Sequence, residues 1–150
     1  MYNPPVREVD SLGGINAGRV ILGGLLAGLV VNIGETILNV LVLAQAMEDL
    51  LRARNLPVLG GSAIGGFVFF AFLLGIVTVG LYAAIRPRFG PGVKTAVVAA
   101  LFVWYFAYFY SATATVLMGI YPANIAAIGV VWGLVEILLA SIAGARLYTE

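Results

Sequence analysis

The chain has 150 residues, 62% hydrophobic and only 10% charged, with a formal net charge of +1. A soluble domain averages about 25% charged residues, so this composition excludes a soluble globular protein and indicates an integral membrane one. No basic run is dense enough for nucleic acid. The absence of cysteine and histidine removes disulfides, iron–sulfur clusters, a zinc ligand set, and the usual haem and chlorophyll ligand.

Residues 1 to 14 read as a charged N-terminal arm. The first apolar segment, 20 to 43, is long enough at about 1.5 Å per residue to cross a bilayer core of about 30 Å. Ala44-Gln45-Ala46 resembles a signal-peptide cleavage site, but the run before it is too long for a signal core and is interrupted by Asn32, Glu35 and Asn39. At about 100° per residue, Gly24, Gly28, Asn32, Glu35 and Asn39 fall within an arc of roughly 80°. Small residues let membrane helices approach and amides hydrogen-bond across the contact. This stripe therefore predicts that Glu35 faces protein, flanked by two amides, with Gly24 and Gly28 as packing positions.

Residues 44 to 56 keep a helical pattern in which Glu48 precedes Arg52 by four, an ion-pair spacing. Two readings stay open: an extension of the first helix, or an amphipathic segment on the membrane surface. The second span, 63 to 85, carries a thin polar stripe of Ala71, Gly75, Thr78 and Tyr82. It is expected to end near Arg86, because Pro87 disfavours helical geometry in the residue before it, and 87 to 92 read as a tight turn.

The third span, 95 to 118, restarts near Val93 and holds the densest aromatic run, since seven of the nine residues from Phe102 to Tyr110 are aromatic. Trp104, Tyr108, Ser111 and Thr115 share one stripe with Ala100 and Ala107, the natural inward face. Phe102, Phe106 and Phe109 lie around the other side. The run either packs against lipid and neighbouring helices or lines a cavity for a flat apolar ligand such as a quinone, carotenoid or pigment. Pro122 suits the first turn of the fourth span, 123 to 145, and makes the preceding connection very short. There Gly129 and Gly133 form a GxxxG, on one face with Trp132, Glu136 and Ala140.

Four spans put both termini on one side, with Arg7, Arg19, Arg86, Arg88, Lys94 and Arg146. The other side has only Arg52 and Arg54. Basic residues are retained in the cytoplasm, so both termini are expected there. The expected fold is all-α: one domain over 1 to 150, a four-helix transmembrane bundle.

Glu35 and Glu136 are the costly residues. A charge near the bilayer centre costs at least about 2.5 kcal/mol, which marks such a side chain as a functional candidate. Helical geometry puts Glu136 near the midplane and Glu35 about 5 Å nearer the far side, so the two can meet. They can be neutral partners of Asn32, Asn39, Tyr108 or Trp104, share a proton, or bind an external cation or ligand. Neither lies in a catalytic signature, and an enzyme is not expected.

GRVILGGLLAGLVVNIGETILN together with VGLYAAIRPRFGPG resembles a group of bacterial four-helix inner-membrane proteins without an assigned function. The resemblance covers most of 15 to 150 and implies the fold and a bacterial inner-membrane location, but no function or site. The expected role is a small accessory or interaction protein, assembling with itself or a larger membrane complex around a polar intramembrane site. The alternatives are a proton or cation channel or transporter using Glu35 and Glu136, and a binder of a quinone, carotenoid, pigment or lipid.

Overall fold

The computed structural model describes residues 14–148; Arg7 and, Gly14 aside, the N-terminal arm lie outside them. All regular structure in this range is helical. Six α-helices form: α1 Ala17–Ile37, α2 Ala44–Ala53, α3 Gly61–Phe89, α4 Val93–Trp104, α5 Ser111–Leu117 and α6 Ala123–Leu147. A wide π turn, Leu38–Val42, prolongs α1, and another, Tyr105–Tyr110, joins α4 to α5. Four continuous spans result, Ala17–Val42, Gly61–Phe89, Val93–Leu117 and Ala123–Leu147, each long and apolar enough to cross a membrane. The protein is a multi-pass membrane protein.

Local chemistry sets the ends. Asn16 caps α1, its side-chain oxygen accepting the Arg19 N–H at 3.1 Å, which satisfies one of the donors a helix start leaves open. The second span does not stop at Arg86 as Pro87 led us to expect; α3 runs to Phe89 with Pro87 inside it. In the last turn a proline removes only one backbone bond, a small loss there. Gly90 ends the helix instead: its φ is +81°, while its N–H still bonds the Arg86 carbonyl at 2.8 Å. Gly90→Ala should therefore cost about 1 kcal/mol in a thermal or denaturant unfolding titration. Pro87→Ala should cost nothing; a larger loss for Pro87→Ala would reverse this assignment. Pro122 precedes α6 as its N-cap, with extended ψ of 134°, rather than sitting in its first turn. Gly119, at φ +68°, turns the chain between the third and fourth spans.

Residues 44–53 do not extend the first span. The π turn closes with the Leu43 N–H on the Leu38 carbonyl at 2.7 Å, Leu43 breaks the helical path, and α2 starts afresh. From there α2 is tied across the end of the bundle. Arg54 donates to the Gly119 carbonyl at 3.1 Å, and the Tyr121 hydroxyl meets the Met47 sulfur at 3.7 Å. Glu48 and Arg52 form the expected ion pair on its exposed side.

The first span packs most extensively on the second and fourth, and the third packs mainly on the fourth. The main core occupies the half of the bundle that carries the termini, where Ala27, Val79, Ala96, Ala99, Ala100, Ile137 and Ala140 have almost no solvent exposure. A separate cluster of Leu38, Leu43 and Ile125, covered by Ala46, Tyr121 and Trp132, closes the α2 end. Between these two packed regions the first and third spans stand apart.

Candidate functional site

Glu136 is 4% exposed, the one fully buried ionisable carboxyl among the described residues. Its position follows from two glycine-dependent contacts. Gly34 of α1 leaves a notch into which the carboxyl fits, since a Cβ there would overlap Glu136 Oε2. Gly133, one turn earlier on α6, leaves room for the Tyr108 ring. That ring then directs its hydroxyl to donate to Glu136 Oε1 at 2.8 Å. Oε2 is buried without a hydrogen-bond partner among the described residues. Trp132 fixes the other side of the notch by donating its indole N–H to the Gly34 carbonyl at 3.2 Å.

Glu35 is half-buried and lines, with Tyr108, an open cleft of about 350 Å³. Asn39 donates to Glu35 Oε2 and to the Glu35 carbonyl, both at 2.9 Å. Tyr108, Ser111, Thr115 and Tyr121 also line it, the Tyr108 hydroxyl being spent on Glu136, while Leu38, Leu43, Ile125 and Val130 provide apolar wall. The cleft occurs where both π turns face it: Leu38 and Asn39 come from one, Ala107 and Tyr108 from the other. Such wide turns lose regular hydrogen bonding and recur at functional sites. Side chains repair part of that loss, because Ser111 donates to the Ala107 and Tyr108 carbonyls. Outside the spans, burial first and the nearby Glu35 carboxyl second raise the Tyr121 phenol above its ordinary pKa. It therefore remains a neutral hydrogen-bonding group at the cleft edge.

The structure brings four of the six expected polar residues together: Glu35, Asn39, Tyr108 and Glu136. Asn32 does not flank Glu35; its amide donates to the Gly28 carbonyl at 2.9 Å and to Val68 of the second span at 3.4 Å. Three residues before Glu35, it is rotated toward a different neighbour. Trp104 is also elsewhere, donating its indole N–H to the Val130 carbonyl at 2.9 Å. Of the packing glycines, Gly24 and Gly28 meet the backbone of the second span at Ile76 and Phe72. Gly129 meets nothing and lines the cleft, so of the GxxxG only Gly133 packs against a neighbouring helix, through the Tyr108 ring. The close approach of the first and fourth spans is made by Gly23 and Gly144 instead.

The chain matches no family model, no curated protein and no solved structure. The aromatic run turns outward: Phe102, Phe106, Phe109 and Tyr110 are exposed on the third span, and Tyr108 is the only one of its rings on the cleft. With Tyr121, it is one of two aromatic rings on the cleft. The cleft combines a carboxyl, an amide and hydroxyl-bearing residues with aliphatic surface. That distribution suits a small amphiphile.

Toward the termini the cleft is blind. Ala27, Ala99, Ala100, Ile137 and Ala140, each fully buried, fill the bundle beyond Glu136. The hydroxyls further along bond inward to helix carbonyls: Ser141 to Ala96 at 2.8 Å, Thr78 to Leu74 at 2.7 Å and Thr95 to Gly90 at 2.6 Å.

Proposed function

We propose that this is a non-enzymatic accessory membrane protein that holds a small amphiphile in the cleft beside Glu35. The blind cleft is the observation that carries the reading. Its volume, about 350 Å³, falls in the range of small-molecule sites, about 300–1,000 Å³. The Glu35 carboxyl, oriented by Asn39, is the acceptor for a ligand ammonium, amide or hydroxyl, and Tyr108 and Tyr121 bound that polar side. Leu38, Leu43, Ile125 and Val130 take the apolar body. In this reading both termini are cytoplasmic, as the basic residues suggest, and the membrane is the bacterial inner membrane, as the resemblance suggests. Assembly with a second copy or a larger complex supplies the action that a chain with a one-ended site does not perform by itself.

Conduction is less well supported, because Ala27, Ala99, Ala100, Ile137 and Ala140 pack the bundle beyond Glu136 without solvent exposure. Proteoliposomes under a pH gradient should show no flux above empty liposomes. A flux reduced by Glu136→Gln would overturn the proposal in favour of transport. Mild detergent extraction from native membranes should recover a stoichiometric amphiphile by mass spectrometry, depleted at least about tenfold by Glu35→Ala, the loss of one charge-assisted contact. Recovery of the wild type with an empty cleft would count against ligand holding.

A further inference from the structure

A second pocket, of about 210 Å³, lies at the opposite end of the bundle, between the ends of α3 and α6 and the start of α4. We propose that it binds the phosphate of an anionic phospholipid. Arg86 and Arg146 both line it, and each belongs to the last turn of a span, the level at which lipid headgroups lie. The walls are pre-set. The Tyr82 hydroxyl accepts the Gly92 N–H at 3.1 Å, the Tyr82 and Tyr148 rings meet edge to face at 6.0 Å, and the Arg86 guanidinium lies over the Tyr148 ring at 5.5 Å. Asn16 donates its backbone N–H to the Tyr148 hydroxyl at 3.3 Å, holding that ring from the start of the first span.

The surroundings match an anion. Arg19, Arg86, Arg88, Lys94 and Arg146 are all at this end, whereas Glu35, Glu48, Asp49 and Glu136 lie at mid-span or at the α2 end; the chain's other acids, Glu8, Asp10 and Glu150, lie outside the described residues. The uncapped start of α4 adds its positive dipole end to the same side. Two guanidiniums can take a phosphodiester through paired N–H donors. Pro91 and Ile142 on the lining offer apolar contact to the glycerol and first acyl carbons, which a soluble phosphate would leave unused. Basic pockets between spans on the cytoplasmic side are general headgroup sites, so the pocket also fits cytoplasmic termini.

Native mass spectrometry of the full chain in mild detergent, with phosphatidylglycerol or phosphatidylcholine of matched acyl chains, tests this. Phosphatidylglycerol should be retained at least about tenfold better, given roughly a few-fold per engaged arginine. Arg86→Gln with Arg146→Gln should abolish the preference. Arg146→Gln alone, at an exposed position that leaves the fold intact, should reduce it several-fold. Arg19→Gln with Arg88→Gln removes the same charge from the same end outside the pocket and should leave the preference in place. Equal retention of the two lipids, or equal losses in both double variants, would overturn the proposal. Displacement of phosphatidylglycerol by millimolar inorganic phosphate would also overturn it, assigning the pocket to free phosphate.

Discussion

Gly75→Ala should be among the most damaging single-methyl changes in this protein, costing about 1–3 kcal/mol in a denaturant titration in mixed micelles, the range for overpacking a close contact. The position has no room: a Cβ there overlaps the Gly24 carbonyl oxygen and the Gly28 nitrogen and Cα of the first span. These are backbone atoms, which cannot swing aside as a side chain would, so the two helices must separate. Separation also loosens the contacts that Gly24 and Gly28 make with Ile76 and Phe72. Gly129→Ala is the matched control, since nothing lies within reach of its Cβ. There the helix gains about 0.5–1 kcal/mol from alanine's better propensity. If the two variants lose stability equally, close packing of the first and second spans does not determine the stability of the bundle.

The second large effect is expected at the Tyr108–Glu136 bond. Tyr108→Phe keeps the ring in the space above Gly133 and removes only the hydroxyl, leaving both carboxyl oxygens of Glu136 without a partner. Stranding a buried polar atom costs about 1–3 kcal/mol. Glu136→Leu removes the other partner and should also destabilise, by stranding the Tyr108 hydroxyl. The double variant should lose less than the sum, with a coupling energy of about 0.6–1.7 kcal/mol, the range measured for hydrogen bonds between membrane helices. Additivity within about 0.5 kcal/mol would mean that the bond does not hold the third and fourth spans together.

Much of this architecture was legible in the chain. Spans follow from hydropathy and length, and the faces of Glu136 and Tyr108 follow from helical angle, because both depend on one helix at a time. What failed depends on pairs of helices. Asn32 and Glu35 are only three residues apart, yet they address different neighbours, and Trp104 is satisfied by a carbonyl whose position no stripe reveals. The GxxxG at Gly129 and Gly133 has the spacing of a helix contact, but only Gly133 meets a neighbour, and that neighbour is a tyrosine ring. The missed contacts did leave traces. Gly23 and Gly24 are adjacent, hence about 100° apart, and they serve the fourth and second spans respectively. Gly34 stands beside a mid-span carboxylate, where a missing side chain makes room for another. The π turns left no signal, because nothing in their composition separates them from ordinary helix.

Those wide turns set a limit on how the chain can change length. Each holds one residue more than a regular helix needs, so losing one residue from Leu38–Val42 or Tyr105–Tyr110 lets the backbone relax into tighter, better-bonded turns. Because the turn absorbs its extra residue locally, the segment that follows keeps its facing, and what is lost is the widened wall that Leu38 and Asn39 in one case, or Ala107 and Tyr108 in the other, give the cleft. A shortened variant would be the more regular helix and would no longer have the cleft. Conversely, a chain with ordinary helices here would acquire this hollow by inserting a single residue in two spans.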